Sequence, residues 1–557
     1  MINSNSAATS GRRSLSAILL GLLLLVVHLS ANSAAQAAKT KTEPPATGPY
    51  RIAGTVVSSK GGSVLARVRV QIMDASSLQS VRSLVTGSDG RFEFSVKAGK
   101  FALQGAKRGY ITSSYNQHEQ FSTATVTGAD FDTEHLVLRL PPVAVLAGKV
   151  LDEAQEPVRE ASVRIYREDR SSGASRILPV TTVTTDDQGD YEATPLDEGT
   201  YFVSVRATPW YATHPVTGRD RASVDPSLDV AYPVTYYGDT TEADDATPIP
   251  VRGGDHLEAD IHLTPAPSLH LVFHAGGDTK RGVQPPLLQA PVFDGAEHIQ
   301  TQGFQMISPG VYEVSGIVAG KYLVRMPDLS DGFKEHVEMD LSSGQELDSF
   351  SARSVSKIKA AVQVRGAANL PDDLHIALRN RKGRFVAWQL VSPKGEVEFQ
   401  DATPGAYEVL AGTSTKAYSV VGIASGDRET RGHTLNVPAG AALTVSLSLA
   451  EGKVNVEGFA KRAGKPGSGA MIVLVPKNPD ANRDLFRRDQ SDLDGSFTLH
   501  NVIPGAYTLI AIEDGWDLDW AKPAVVAPYL KHGQPIKVED QTRGPLHVPD
   551  AVEVQKK

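Results

Sequence analysis

The sequence contains no cysteine. Disulfide bonds are therefore excluded, and every folded part of the chain must depend on the packing of an apolar core. The same absence removes the cysteine that lipoprotein anchoring requires. We expect a chain that is stabilised by packing and is not anchored through a lipidated thiol.

Positive charge is not in excess, and long apolar runs are rare. The 557 residues include 56 Lys and Arg against 64 Asp and Glu, which gives a net charge of -8. Nucleic-acid-binding proteins carry a basic patch or stripe, so nucleic acid is not an expected partner. After the N-terminal region no run of about 18 apolar residues occurs, and we expect no membrane span in the mature chain.

Familiar catalytic signatures are also missing. The chain has no His-Glu-x-x-His pattern for zinc and no Gly-x-Ser-x-Gly nucleophile turn. The pairs His118-Glu119 and His336-Val337-Glu338 do not have the spacing of a His-x-x-Glu zinc motif. The sequence therefore predicts no catalytic residues, no cofactor and no enzyme activity.

The first residues have the composition of a secretory signal. Arg12 and Arg13 precede an apolar stretch over 17–27, and small residues lead up to Ala37. This order of positive, apolar and small residues predicts a signal peptide over 1–37, cleaved near Ala37. The mature protein is then expected in the periplasm, at the cell surface or in the medium. An uncleaved signal acting as an anchor is the alternative.

One short pattern recurs through the rest of the chain. A Gly is followed two positions later by Phe or Tyr, and another Gly lies nine or ten residues upstream. The pattern returns every 85 to 121 residues, which indicates a tandem array of one small domain. The five pairs are Gly90 with Gly99-Lys100-Phe101, Gly189 with Gly199-Thr200-Tyr201, Gly310 with Gly320-Lys321-Tyr322, Gly395 with Gly405-Ala406-Tyr407, and Gly495 with Gly505-Ala506-Tyr507.

Period-two alternation predicts strands around this pattern. In the first copy Val68, Val70 and Ile72 alternate with polar residues, as expected for a sheet with one wet side. Asp89-Gly90 is a tight-turn pair, because Gly accepts a positive φ without a Cβ clash. We interpret the strand after Gly90 and the strand after Gly99 as the two arms of a β-hairpin.

Helical periodicity is scarce, and turn residues recur every 8 to 12 positions. We therefore predict an all-β chain, a tandem array of about five β-sandwich domains. The predicted boundaries are a signal peptide at 1–37, a linker at 38–49, sandwiches at 50–141, 142–265 with a long insertion, 266–352 with a degenerate pattern, 353–450 and 451–549, and a tail at 550–557.

Two phrases carry a family resemblance: Asp89-Gly90-Arg91-Phe92-Glu93-Phe94 and Pro504-Gly505-Ala506-Tyr507-Thr508-Leu509. With them the chain resembles tandem carboxypeptidase regulatory-like domains, also called transthyretin-like or prealbumin-like, of exported bacterial proteins. The resemblance implies a seven-stranded β-sandwich with a transthyretin-like or immunoglobulin-like fold in each repeat, and an accessory module without a catalytic domain. Related sandwiches are grouped with carbohydrate-binding folds, which suggests a carbohydrate or an envelope protein as the partner.

Aromatic residues outside the repeated pattern are the candidate ligand-binding residues. Aromatics on loops at the ends of a sandwich can stack on sugar rings or peptides. The alternative is that they cover the core or pack neighbouring domains, in which case the chain is a structural spacer or scaffold. The candidates are Trp210, Tyr211, Tyr232, Tyr236 and Tyr237 in the insertion, and Trp516 and Trp520 after the last repeated strand.

A single strand places four metal-ligand residue types together. His256, Glu258, Asp260 and His262 alternate with apolar residues, so period two puts them on one face. Such a set is able to bind a divalent metal, which would allow a metal-dependent hydrolase. An ordinary solvated sheet face is the favoured interpretation, because charged residues are mostly exposed.

Overall fold

The structure is a computed structural model of the chain. It describes residues 48–128, 131–215, 225–274, 285–328, 332–342, 346–348, 356–367, 369–380, 383, 385–425 and 428–557. The predicted signal peptide at 1–37 and most of the predicted linker at 38–49 lie outside these residues. Ala46–Lys557 forms one compact unit. In the parts of the chain that the structure describes, no helix has the length and apolarity needed to cross a membrane.

Nearly all regular structure is β, which confirms the predicted fold class. We keep the predicted ranges as segments 1 to 5 (50–141, 142–265, 266–352, 353–450 and 451–549). The strands of segments 1 and 2 are β1 (Tyr50–Ser58), β2 (Arg69–Asp74), β3 (Ser80–Val85), β4 (Arg91–Val96), β5 (Gly99–Ala106), β6 (Ser113–Ser114), β7 (Thr125–Thr127), β8 (Leu136–Leu140), β9 (Ala144–Leu151), β10 (Ser162–Asp169), β11 (Arg176–Thr184), β12 (Asp190–Leu196), β13 (Gly199–Arg206), β14 (Val230–Ala231), β15 (Thr235–Tyr236), β16 (Ile249–Val251), β17 (His256–Glu258) and β18 (Ile261–His262), and β19 (Ala266–Pro267) opens segment 3.

The later segments continue the same pattern of short strands. The other strands of segments 3 and 4 are β20 (Leu269–His274), β21 (Leu287–Val292), β22 (Gly295–Ile299), β23 (Gly303–Ser308), β24 (Val311–Ile317), β25 (Gly320–Asp328), β26 (Gly332–Leu341), β27 (Glu346–Asp348), β28 (Ser356–Val364), β29 (His375–Asn380), β30 (Phe385–Leu390), β31 (Glu396–Ala402), β32 (Gly405–Gly412), β33 (Tyr418–Ser425), β34 (Arg428–Arg431), β35 (Thr434–Val437) and β36 (Ala442–Glu451).

Segment 5 adds one α-helix, α1 (Pro523–Leu530), to its strands. The strands are β37 (Val454–Arg462), β38 (Lys465–Pro466), β39 (Met471–Pro476), β40 (Arg487–Gln490), β41 (Ser496–Val502), β42 (Gly505–Ile512), β43 (Gln534–Val538), β44 (Leu546–His547) and β45 (Val552–Gln555). Short 3-10 helices lie at Pro226–Leu228, Ala243–Asp245, Arg483–Leu485 and Gly515–Asp517. Within the predicted tail at 550–557, β45 pairs with β37 and β42.

The five segments share one strand topology. In each, the opening strand pairs antiparallel with the strand after the Asp-Gly-type turn and parallel with a late strand, as β1 does with β4 and β8. The same arrangement recurs around β9, β20, β28 and β37. A second sheet packs on the first, and each segment encloses its own buried apolar cluster. Among the described residues each segment has more than the predicted seven strands, because short strands border the main ones, as β6 and β7 border β5 in segment 1. The segment boundaries themselves stay a prediction.

The repeated Gly-x-Tyr turn is not a hairpin, and that prediction is wrong. β4 pairs with β1 in one sheet, whereas β5 pairs with β2 in the other. The turn at Gly99 is therefore an arch that carries the chain across the core from one sheet to the other. Both strands bury one side-chain face, with Phe92 and Phe94 from β4 and Phe101 from β5 in the same cluster. In an arch the two buried faces lie on opposite sides of the core, whereas the arms of a hairpin lie side by side in one sheet.

The tyrosine of the pattern ties this arch together. Tyr201, Tyr322, Tyr407 and Tyr507 each donate the hydroxyl hydrogen bond to the carbonyl four residues earlier, at 2.6 to 2.9 Å. The ring lies in the core and the hydroxyl satisfies a carbonyl of the crossing loop. In segment 1 the equivalent residue is Phe101, which has no hydroxyl. The aromatic ring therefore fills the core, and the tyrosine hydroxyl satisfies a carbonyl of the crossing loop. Both roles occur in four of the five segments.

Tyr507→Phe is expected to weaken the arch of segment 5. The buried Ile503 carbonyl would lose its 2.6 Å bond from Tyr507, at a cost of about 1 kcal/mol. Hydrogen exchange measured by mass spectrometry on the full chain reports this as faster exchange in β41 and β42. Exchange in segment 1, where Phe101 already lacks the hydroxyl, serves as the internal control. Unchanged protection in β42 would contradict a stabilising role for the hydroxyl.

A tandem array suggests a simple rod, in which each domain contacts only the domains next to it in the chain. The segments are not arranged in that way. Segment 5 contacts segment 1, where the Leu493 amide donates to the Ala124 carbonyl at 3.0 Å. It also contacts segment 2, where the Ala521 amide donates to the Gly173 carbonyl at 2.9 Å. The two contacts join parts of the chain more than 340 residues apart. The last segment is therefore held against the first two.

Candidate functional site

Trp210 is the most exposed large apolar side chain of the described residues, with 82% of its surface accessible. It lies in the insertion that follows β13, on a loop that the backbone holds in place. The Ala212 amide donates to the Pro209 carbonyl at 3.1 Å, and the Thr213 amide donates to the Leu228 carbonyl at 2.8 Å. Tryptophan is highly buried on average, so its exposure on an ordered loop is informative.

Two tyrosines and a glutamate lie beside this tryptophan. The Tyr211 ring meets the Trp210 ring edge-on, at 5.8 Å between centroids and 89° between planes. The Tyr211 hydroxyl donates to Glu153 Oε1, and the Tyr232 hydroxyl donates to Glu153 Oε2 at 2.9 Å. We call Trp210, Tyr211, Tyr232 and Glu153 the aromatic site. Its members come from three separate loops at one end of the segment 2 sandwich.

The turn that carries Glu153 is built by the residue before it. Asp152 ends the opening strand region, and its Oδ1 accepts the amides of Ala154 and Glu156, each at 2.8 Å. Gln155 adopts a φ of 64°, which closes the turn. Asp commonly stabilises such turns through its own carboxylate. The turn thereby directs Glu153 toward the tyrosines of the insertion.

Hydrogen bonding keeps Glu153 ionised. Partial burial opposes its charge, but the bonds from Tyr211 and Tyr232 outweigh burial and hold the pKa of Glu153 below its ordinary value. Burial, with the bond to Glu153, raises the pKa of Tyr211 to about 12. The pKa of Tyr232 is raised for the same reasons. At neutral pH the site therefore presents a carboxylate, two neutral phenols and an indole.

This arrangement is suited to binding rather than to bond cleavage. An exposed indole offers a broad apolar face on which a ring can stack. The carboxylate oxygens keep lone pairs that are able to accept further hydrogen bonds from a ligand's hydroxyl or amine groups. The tyrosine bonds fix the carboxylate in orientation. No nucleophile with an adjacent base occurs among these four residues.

The other two tyrosines of the insertion pack inward. Tyr236 is 2% exposed, and its ring meets the ring of Phe293 from segment 3 at 5.4 Å and 74°. Tyr237 is half-buried against the core cluster of segment 2. Phe293 also contacts Tyr166 and Phe202, so the insertion and segment 3 share one apolar cluster. Ligand binding by Tyr236 and Tyr237 stays a prediction, whereas their packing is described.

The two late tryptophans surround an arginine between segments. The Arg488 guanidinium lies 4.6 Å from the Trp520 ring centroid and 5.4 Å from that of Trp516. The Trp520 indole donates to the Arg170 carbonyl at 3.2 Å, and the Trp516 ring stacks on His118 at 4.8 Å. Binding of an external ligand by Trp516 and Trp520 likewise stays a prediction. In the structure their rings fill the contact of segment 5 with segments 1 and 2.

The predicted metal strand is divided into β17 and β18. His256, Glu258 and Asp260 are exposed and His262 is half-buried, while Ala259, Ile261 and Leu263 are buried. The alternation is therefore as predicted. Asp260 accepts the Lys149 amide at 2.8 Å, and His262 Nδ1 lies 3.1 Å from Asp239. Across the described parts of the chain, no three His, Asp or Glu side chains come together in a way that suits a metal ion.

A surface groove of about 550 Å³ lies beside this strand. Lys149, Asp190, Glu258 and Asp260 are among the residues that line it. The Lys149 ammonium pairs with Asp190 at 3.0 Å, so part of the acidic charge is neutralised. The groove is open and charged, as a solvated sheet face is expected to be.

Sequence reasoning missed Glu153 and Arg488. Glu153 lies in an ordinary turn, and Arg488 lies in the polar run Arg487-Arg488-Asp489-Gln490, so no local pattern marks either residue. Only the folded chain brings Glu153 to Tyr211 and Arg488 to Trp520. Trp388 was also missed, although the apolar run Phe385-Val386-Ala387-Trp388-Gln389-Leu390 is a visible signal.

Residues 145–264 match the profile of the carboxypeptidase regulatory-like domain, and this range includes all four residues of the aromatic site. The predicted resemblance is therefore confirmed for segment 2. No curated protein sequence matches the chain.

Solved structures with similar folds share 12 or 13% of aligned residues with the chain. The Bacillus anthracis TIE protein covers 72% of this chain and 68% of its own, with 12% identity and a TM-score of 0.17. A streptococcal ancillary pilin covers 52% and 98%, with 12% identity and a TM-score of 0.19. Transthyretin from Sparus aurata covers 22% and 93%, with 13% identity and a TM-score of 0.14. Scores this low do not establish a common overall structure.

Proposed function

We propose that the chain is an exported, non-catalytic repeat protein of the bacterial cell envelope that binds carbohydrate through the aromatic site. The observation that carries the proposal is the 82% exposure of Trp210 on a loop whose neighbour, Tyr211, is fixed to Glu153. A solvent-exposed indole next to an oriented carboxylate combines a stacking surface with a hydrogen-bond acceptor.

The surroundings support binding at this end of segment 2. The loop of Trp210 is pinned at Thr213, and the loop of Tyr232 is pinned through Glu153. A site that is ordered before a ligand arrives spends less free energy on ordering when the ligand binds. Tyr236 packs against Phe293 and Tyr237 packs on the core of segment 2, which leaves Trp210 as the exposed aromatic of the insertion.

Trp210→Ala is expected to weaken carbohydrate binding at least about tenfold, or about 1.4 kcal/mol, because the stacking surface is removed. A glycan array identifies the ligand, and calorimetry with the soluble oligosaccharide measures the dissociation constant. Glu153→Gln should weaken binding less, since it keeps the stacking ring and removes the charge.

The matched control is Phe459→Ala, which removes an exposed aromatic side chain from segment 5. It should bind like the unaltered chain. Equal affinity of the Trp210→Ala and unaltered chains for the same glycan would refute the aromatic site. If the unaltered chain binds no glycan and a pull-down from the envelope captures a protein that needs Trp210, the partner is a protein. If neither occurs, a structural scaffold is the better description.

A further inference from the structure

β30 is an uncovered edge of the outer sheet of segment 4. The sheet order is β30-β29-β32-β35, so β30 pairs on one side only, with β29. Its four large apolar side chains are exposed: Phe385 51%, Val386 41%, Trp388 41% and Leu390 56%. No described residue pairs with the outer edge of this strand. The strand therefore presents both unpaired backbone groups and apolar side chains to solvent.

Several other edge strands of this chain carry a charged residue or a proline. β3 contains Arg82, β11 contains Pro179, and β40 contains Arg487. Charged residues and proline at an edge discourage pairing with another strand. β30 has no Lys, Arg, Asp, Glu or Pro between Phe385 and Leu390. An exposed apolar edge of this kind is a template for strand addition.

Contacts with residues of the neighbouring strand β29 hold β30 in an extended form. The Arg379 guanidinium lies 5.9 Å from the Phe385 ring centroid, and the His375 ring meets the Trp388 ring edge-on at 6.3 Å. At the turn before the strand, the Arg176 guanidinium of segment 2 donates to the Gly383 carbonyl at 2.6 Å. The strand is thus fixed at its beginning and in its middle before any partner arrives.

We propose that the β30 edge is an interface between two copies of this chain, joined by antiparallel pairing of the two β30 strands. A strand is the occupant that satisfies a row of unpaired amides and carbonyls. A second copy fits because the strand is complementary to itself. A twofold axis through Trp388, perpendicular to the sheet, pairs Val386 of each copy with Leu390 of the other and sets the two Trp388 rings opposite each other.

This pairing register differs from the registers shifted by one residue in which side chains it sets opposite each other. Directly opposite residues of antiparallel strands share a face, so a shift by one residue would set Trp388 against Ala387 or Gln389 on the wrong face. In the proposed register every outward pair is apolar, and apolar cross-strand pairs of this kind stabilise a sheet. The four side chains cover less than the roughly 800 Å² per partner of a standard interface, so the dimer depends on concentration.

Sedimentation velocity of the mature chain over a wide concentration range tests the proposal. The average mass should rise toward twice the monomer mass, and Trp388→Lys should weaken the dimer by at least about tenfold, or about 1.4 kcal/mol. Val85→Lys is the matched control, because it adds the same charge to the exposed edge strand β3 and should leave the dimer intact. A chain that stays monomeric at every concentration, or a dimer that Trp388→Lys does not weaken, overturns the proposal.

The absence of cysteine allows a direct test of register. In the proposed pairing residue 386 of one copy lies opposite residue 390 of the other, so mild oxidation of an equimolar mixture of the Val386→Cys and Leu390→Cys chains should cross-link them while both Trp388 rings are kept. Leu390→Cys alone places the thiols on the same strands but away from each other, and it should cross-link more slowly. Equal or reversed rates show that the two strands do not pair in this register. Hydrogen exchange of segment 4 in both variants confirms that the fold is retained.

Discussion

Arg488→Ala is expected to loosen the contact between segments 5 and 1 by about 3 kcal/mol, because it removes one partner of a buried ion pair. The Arg488 side chain is 2% exposed, and its guanidinium nitrogens donate to both carboxylate oxygens of Glu119. Phe121, Trp516 and Trp520 surround the same guanidinium at 4.6 to 5.4 Å. The substitution leaves Glu119 without its cation and opens a cavity among the three rings.

We expect the whole contact between segments 5 and 1 to open together in Arg488→Ala, because other hydrogen bonds and ion pairs lie in the same interface. Lys100 pairs with Asp492 at 2.8 Å, and Gln490 donates to the Asn116 carbonyl at 2.6 Å. Hydrogen exchange should therefore rise on both sides, over residues 116–124 and 487–493, while the cores of the two segments stay protected. Small-angle scattering should show a larger radius of gyration if segment 5 separates.

Two variants make the result specific to the guanidinium. Arg488→Lys keeps the charge but loses the planar fork, so its effect should lie between those of alanine and the unaltered chain. Arg483→Ala removes an exposed arginine from the same segment and should change neither exchange nor scattering. Equal exchange in Arg488→Ala and Arg483→Ala would show that the ion pair contributes nothing to the contact.

Gly495→Ala is expected to destabilise segment 5 by roughly 3 kcal/mol, since two separate costs combine there. Gly495 has a φ of 79°, and a left-handed alanine costs about 1 to 2 kcal/mol. A Cβ at this position would also lie 2.3 Å from the Ala460 carbonyl oxygen of β37. That oxygen belongs to the strand backbone, so the contact is relieved only by moving β37.

Gly464→Ala separates the two costs within the same segment. Gly464 has a φ of 78°, but a Cβ there has no heavy atom within 4 Å. It should therefore show only the cost of the left-handed conformation. Thermal unfolding together with hydrogen exchange of β37 and β41 measures the difference. Equal destabilisation by the two substitutions would show that the approach of β37 to the turn does not matter.

The repeated glycines show how far sequence reasoning reached. Positive φ was predicted at the Asp-Gly-type turn, and Gly90, Gly189, Gly310, Gly395 and Gly495 have φ values between 64° and 79°. The alternation of Val68, Val70 and Ile72 also predicted their burial. Both follow from local rules, namely the absence of a Cβ and the period of a strand.

The hairpin prediction was wrong because local sequence does not state which strands pair. Two strands joined by a short turn look the same whether the turn folds back in one sheet or crosses to another. The deciding observation is that β4 pairs with β1 and β5 pairs with β2. The tyrosine bond to the residue four positions earlier is a feature of the arch and was not visible beforehand.

For the candidate site, the sequence identified the aromatic residues but did not distinguish the exposed ones from the buried ones. Trp210, Tyr211 and Tyr236 lie within 27 positions of one another, yet Trp210 faces solvent and Tyr236 packs against Phe293. The partner of each was distant in the chain: Glu153 for Tyr211, and Phe293 for Tyr236. Exposure depends on these distant neighbours, so composition and spacing do not reveal it.

The sequence by itself determined that this protein is an all-β tandem array without disulfides, because glycine turns, strand alternation and the lack of cysteine are local properties. Only the tertiary structure decided how the sheets pair, how segment 5 meets segments 1 and 2, and which aromatics remain exposed. Those outcomes depend on contacts between residues far apart in the chain, such as Glu119 with Arg488. The physical reason is that burial and strand pairing each depend on two surfaces that meet, whereas a local sequence pattern describes only one of those surfaces.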